Sequence, residues 1–261
     1  MSELSINGMK MVYDEVGSGS NPPVLLVHGW GCNRSFMKRQ QEFFGQTRRA
    51  IAVDLRGHGE SDAPTEDYTV SNFANDLAWV CLKLDIEKPI VVGHSMGGTI
   101  ALEFGASHPD IAAAVVMVDS YVCLPTPFRD AMEIFSEQLK GEDYLKAIEV
   151  SLAGLYIPGE DPSIRDAFFG SLRRTQQRVL TQAFDEHILN YDAEPVAARC
   201  TVPIAYIGAD TSSANVARLR EVQPQIKVGQ TIGSGHFSTL LVPDQINAMI
   251  RDFAQAYVRG W

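Results

Sequence analysis

The sequence predicts an α/β fold: a doubly wound, mostly parallel sheet interrupted by an all-helical insertion. Three observations point there. Short apolar runs alternate with amphipathic stretches through the first half, strand character stops at Asp119 and returns only at Pro203, and the chain has 261 residues. A single domain of this class routinely reaches about 250 residues, so one core with an insertion fits better than two independent domains.

The apolar runs are residues 23–28, 49–54, 89–93 and 113–119. Short, continuous and rich in Val and Ile, they suit strands buried on both faces. Residues 11–16 alternate less regularly and read as an outer antiparallel strand. Between these runs, residues 69–84 place Val70, Phe73, Leu77, Val80, Cys81 and Leu84 on one helical face, with Ser71 at the cap or in the first turn. Met96–Ser107 is rich in Gly and Ala and reads as a buried helix that His108 and Pro109 end. Strand–helix–strand units at this spacing imply right-handed crossovers.

Beyond Asp119 the pattern changes. Residues 131–139, 144–152 and 171–189 read as helices, and 159–162 as a loop. Strands return at 203–208 and near 226–232, and residues 243–258 form a closing helix. Residues 1–120 and 200–261 are thus assigned to the sheet core and 121–199 to a helical cap. An insertion of about 75 residues is lid-sized rather than linker-sized.

Composition narrows the function. With 22 Lys and Arg against 32 Asp and Glu, the formal charge is −10, which disfavours nucleic acid and anionic membrane surfaces as partners. Cys32, Cys81, Cys123 and Cys200 are far apart, and none forms the close pair that zinc and redox motifs use. The first residues lack the basic patch and apolar run of a signal peptide, and no apolar stretch reaches about 18 residues. A cytoplasmic protein acting on a small molecule, without metal or cofactor, is the expectation, and a homodimer stays open. Gly17-Ser18-Gly19 is not a phosphate loop, since no helix follows it.

The strongest chemical signal is Gly93-His94-Ser95-Met96-Gly97. It matches Gly-x-Ser-x-Gly between a predicted strand and a predicted helix, the context of a nucleophile elbow. A tight strand-to-helix turn forces the serine into strained backbone angles, and side chains at 93 and 97 would collide with neighbouring chain. The helix N-terminus adds free N–H groups beside Ser95.

A serine hydroxyl needs a base. Of His28, His58, His94, His108, His187 and His236, only His236 falls late enough for the order serine, acid, histidine. Such a base must be neutral to act, so activity is expected to rise with pH through about 6–7.

On these residues the chain resembles an α/β-hydrolase fold serine hydrolase, esterase- or lactonase-like, over nearly its full length. Besides the elbow, His28-Gly29-Trp30-Gly31 resembles that family's oxyanion loop, Asp54 to Ser61 its stretch after the next core strand, and Gly235-His236-Phe237 its histidine loop. The resemblance implies that the backbone N–H groups of Trp30 and Met96 bind the developing oxyanion. His28, Gly29, Arg56 and His58 are read as structural. Most relatives carry the acid after the strand that follows the lid. Here Thr211 holds that position and Asp210 lies one residue early. A second location in the family, the end of the strand after the elbow helix, corresponds to Asp119. Asp119 is favoured, with Asp210 the alternative.

The leading expectation is a cofactor-free serine hydrolase that cleaves a small carboxylic ester or lactone through an acyl-enzyme. Carbon–carbon or amide bond hydrolysis on the same triad is the alternative. A cofactor-independent dioxygenase and a non-enzymatic receptor rank lower, because Met96-Gly97-Gly98 looks esterase-like and Ser95, His236 and the oxyanion loop are all present. Aromatic residues of the insertion are expected mainly to pack the lid, with one or two facing an apolar pocket. Arg173, Arg174 and Arg178 are read as a solvated helix face rather than a carboxylate clamp.

Overall fold

A computed structural model describes residues 1–19, 22–65 and 68–261. Among these, eight strands form one sheet. In chain order they are β1 (Ser2–Ile6), β2 (Met9–Val16), β3 (Val24–Val27), β4 (Ala50–Val53), β5 (Ile90–His94), β6 (Ala114–Val118), β7 (Ile204–Gly208) and β8 (Lys227–Gln230). In space the order is β1-β2-β4-β3-β5-β6-β7-β8. β1 and β2 pair antiparallel at one edge, and all pairings from β4 to β8 are parallel.

Successive residues of the central strands point to opposite layers. Leu25, Val27, Ile51, Val53 and Val91 join one core, which includes Phe73, Leu77, Met96 and Ile100 of α2 (Val70–Lys83) and α3 (Met96–Ser107). Val24, Leu26, Ala52, Ile90 and Val92 join the other, covered by Phe44 of α1 (Lys38–Phe44) and by Ile246 and Ile250 near the C-terminus. Helices on both faces bury the unalternating runs, as a doubly wound sheet requires.

Between β6 and β7 the chain forms α4 (Thr126–Leu139), α5 (Tyr144–Ser151), α6 (Pro162–Leu172), α7 (Gln177–Phe184) and α8 (Ala193–Arg199), and no strand among the described residues. α9 (Val216–Val222), α10 (Ser238–Leu241) and α11 (Pro243–Tyr257) follow.

Several elements differ from the sequence expectations, each for a local reason. β1 is not among the expected strands; it joins β2 through Asn7 and Gly8, which both take positive φ (50° and 84°), the signature of a two-residue hairpin turn. The 159–162 loop ends one residue early: Asp161 accepts the N–H of Ser163 at 2.9 Å, and Pro162 occupies the first turn of α6. The continuous helix expected at 171–189 is instead the end of α6, a break in which Gln176 is extended, α7, and a π turn at Asp185–Leu189. At α2 the second of the two expected places for Ser71 holds: it lies in the first turn, and Thr69 is the cap, its hydroxyl accepting from Asn72 N–H at 3.1 Å. α1 and α9, of 7 residues each, have too few turns to show a period in the sequence.

Chain order reverses around β3, whose neighbours are β4 and β5. The loops leaving the carboxyl ends of β3, β5 and β6 therefore converge at the crevice where ligands bind in such sheets. Gly29 and Trp30 follow β3, Ser95 follows β5, and Asp119 follows β6.

Candidate active site

Ser95 is the residue between β5 and α3, with φ 54° and ψ −122°. A side-chain-bearing residue at positive φ is held there only when its surroundings dictate it. The Ser95 N–H donates to Val118 O at 2.8 Å, pinning the turn to β6. A Cβ on Gly93 would strike the backbone of Gly97, and one on Gly97 would come within 2.5 Å of His28 O. A Cβ on Gly29 would meet the Ser95 Cβ at 3.1 Å. Glycine at these positions lets three backbones close around one hydroxyl. Met96 opens α3, so its N–H has no acceptor within the helix.

His236 lies in the loop after β8 and is buried. Its Nδ1–H donates to Asp119 Oδ2 at 2.7 Å, which fixes the tautomer and leaves Nε2 as an acceptor. Asp119 is also buried, and its Oδ1 accepts the N–H of Ala209 at 3.1 Å. Burial pushes the Asp119 carboxyl up, but bonds from His236, Ala209 and Ser212 prevail and hold it below its ordinary value. Asp210 stands apart. It is exposed, and its Oδ2 accepts the N–H of Gly233 at 2.6 Å. The structure thus brings His236 to Asp119, and Asp210 braces the base of the histidine loop.

Other contacts order this imidazole. The His236 carbonyl accepts from His94 Nε2 at 2.8 Å. Tyr121 stacks on the ring, with centroids 5.5 Å apart and planes 7° apart. Gly235 N–H donates to Glu160. His94 is buried and held neutral, its ionisation pushed down to about 3 chiefly by burial. His28 accepts the N–H of Leu55 at 3.1 Å through Nε2, and Arg56 pairs with Asp76 at 2.6 Å. Both hold loops, as expected.

Ser95, Asp119 and His236 line one cavity of about 180 Å³, together with Gly29 and Trp30. Its wall from the helical segment includes Phe128, Met132, Leu152, Phe168, Phe184 and Ile188. The Trp30 indole donates to Leu180 O at 2.8 Å and meets Phe184 edge to face. Arg173, Arg174 and Arg178 do not line it. Arg178 is no solvated side chain: it donates to Ala63 O at 2.8 Å and to Pro64 O, tying α7 to the loop after β4. Sequence reasoning missed Tyr121, Glu160 and the cavity position of His187, because no local pattern marks contacts between residues far apart in the chain.

Among the described residues no group of three or more His, Cys, Asp or Glu is arranged to hold a metal ion, and no helix is long and apolar enough to cross a membrane.

A family model described as alpha/beta hydrolase fold matches residues 22–142. The 2-(acetamidomethylene)succinate hydrolase of Mesorhizobium japonicum is 29% identical over 251 residues, covering 91% of this chain and 90% of that protein. The crystal structure of an enol-lactonase from Burkholderia xenovorans superposes with a TM-score of 0.86 at 19% identity, covering 97% of this chain and all (100%) of that one. A thermophilic esterase from Thermogutta terrifontis gives 0.85 at 21% identity, covering 98% and 99%. At such identities the superpositions establish the fold.

Proposed function

We propose that the chain, whose fold is that of the alpha/beta hydrolases, is a serine hydrolase of that family that cleaves a small, uncharged carboxylic ester or lactone. The observation that carries this reading is the pairing of His236 with Asp119 at 2.7 Å beside the cavity that Ser95 also lines. Ser95 Oγ attacks the carbonyl carbon while His236 Nε2 takes its proton. The oxyanion is held by the N–H groups of Trp30 and Met96, each worth about 3 kcal/mol in the transition state. His236 then returns the proton to the leaving alkoxide, the C–O bond breaks, and an acyl-Ser95 ester remains. Water, deprotonated by His236, releases the acid and restores Ser95. Asp119 stays ionised, holding Nδ1–H and stabilising the imidazolium. Helices α4 to α8 act as the cap that shapes the pocket.

Amide hydrolysis on the same groups is the second reading, favoured by the name of the Mesorhizobium relative. That name denotes a succinate, a dianion at neutral pH. No Lys or Arg is among the described residues lining this cavity, which supports an uncharged substrate instead.

The test is incubation with p-nitrophenyl acetate and, separately, with a serine-directed phosphonate, followed by peptide mass spectrometry. Ester turnover with the phosphonate on Ser95 is expected. Labelling without turnover of any ester or lactone contradicts the hydrolase reading.

A further inference from the structure

His187 lies in the π turn Asp185–Leu189 that extends α7. The turn is closed by Asn190 N–H donating to Asp185 O at 2.9 Å. Widened turns of this kind recur at functional sites, and this one carries Phe184, His187 and Ile188 together to the cavity wall. His187 is 4% exposed, and neither of its ring nitrogens has a hydrogen-bond partner among the described residues. A neutral imidazole offers one donor and one acceptor. Folded proteins keep few buried polar groups unpaired, and each asks for a reason. His187 has no structural partner to explain it, yet it sits in the wall that also presents Ser95 and His236, with the Tyr121 ring centroid 6.4 Å from its own.

We propose that His187 is a substrate-recognition residue whose imidazole hydrogen-bonds an uncharged oxygen, a carbonyl or hydroxyl, that the substrate carries beyond the group being cleaved. The proposal rests on the hydrolase reading above and names the kind of substrate that site takes. Burial pushes ionisation of His187 down to about 3, so the ring is neutral at working pH and does not attract a carboxylate. Its χ2 torsion is broad, so the ring can turn either nitrogen toward a bound group. Phe128, Met132, Phe184 and Ile188 make the surrounding wall apolar, and a site built to pair one polar group rejects the analogue that lacks it.

The experiment compares p-nitrophenyl 4-oxopentanoate with p-nitrophenyl pentanoate, which differ by one ketone oxygen. The ratio of their kcat/KM values is measured for the wild type, His187→Leu and His187→Asn. A wild-type preference of about tenfold or more for the keto ester is expected, lost in His187→Leu and largely kept in His187→Asn, which retains a donor and an acceptor. Damage to the fold would lower both rates and leave their ratio. Calorimetric binding of the same esters to Ser95→Ala, with and without His187→Leu, reads the preference without turnover. Equal affinities, or a ratio that His187→Leu does not alter, overturns the assignment of His187. A binding preference intact in a protein that hydrolyses neither ester supports His187 and overturns the hydrolase reading alone.

Discussion

The backbone N–H of His236 donates to the carbonyl oxygen of Leu155 at 2.8 Å. The histidine loop is thereby fastened to the helical segment rather than only to the sheet. Gly235 makes this approach feasible, because a Cβ there would run into Leu155 O and come within 2.7 Å of Glu160 Oε1. Gly235→Ala must push the loop off this anchor. Since misplacing a reacting group by about 1 Å can cost on the order of a hundredfold, kcat is expected to fall about 10- to 100-fold while circular dichroism stays that of the wild type. Unchanged kcat would show that the anchor does not set the position of His236.

The contact at Asp119 separates two candidate acids. Asp119→Asn keeps the shape but favours the wrong imidazole tautomer, so kcat is expected to fall by about three to four orders of magnitude. Asp210→Asn weakens an exposed bond to Gly233 and is expected to cost less than about tenfold, in line with a loop contact. Steady-state kinetics on the two variants decides. The reverse ranking would move the acid to Asp210.

Tyr121 bears on the same ring by stacking alone. Tyr121→Phe keeps the aromatic face and is expected to retain most of kcat. Tyr121→Leu removes it and is expected to lower kcat about tenfold, with a smaller change in KM, given about 0.5–1.5 kcal/mol for an aromatic pair. Equal effects of both variants would assign the role to the hydroxyl.

Buried histidines make the fold acid-sensitive. Burial pushes ionisation of His28 down to about 4 and that of His58, His94 and His187 to about 3. Folded values below the unfolded value of about 6.5 mean that the unfolded chain takes up protons first. Stability is therefore full above about pH 6.5 and is lost as pH falls from there toward about 4 for His28 and about 3 for His58, His94 and His187, by about 1.4 kcal/mol per histidine per pH unit. Asp119, whose folded value is lowered, adds its loss only below about pH 4. Urea unfolding between pH 7.5 and 5 is expected to show a steep decline, shallower by about one proton in His187→Leu. A flat profile contradicts neutral burial.

The parallel strands and the helices flanking Ser95 were legible because buried runs and 3.6-residue stripes are local properties of the chain. So was the elbow, where the strained turn demands glycine at 93 and 97. The acid was only half legible. Asp119 and Asp210 both end strands, and the choice depends on which strand end faces His236, a matter of sheet order. The break at 173–176 and the π turn were not legible, since helical propensity there is continuous and tertiary packing decides. His187 looked like one more residue of a helix, because a cavity wall has no sequence period. Arg178 looked solvated for the same reason: its partners, the carbonyls of Ala63 and Pro64, lie more than a hundred residues away.

The central claim is that Ser95 carries the acyl group. It is tested most directly by acid-quenching the protein during p-nitrophenyl acetate turnover and locating the acetyl group by peptide mass spectrometry. The acetyl ester is predicted on Ser95, with both adduct and turnover lost in Ser95→Ala. Acetyl on another residue, or steady turnover by Ser95→Ala, would contradict it.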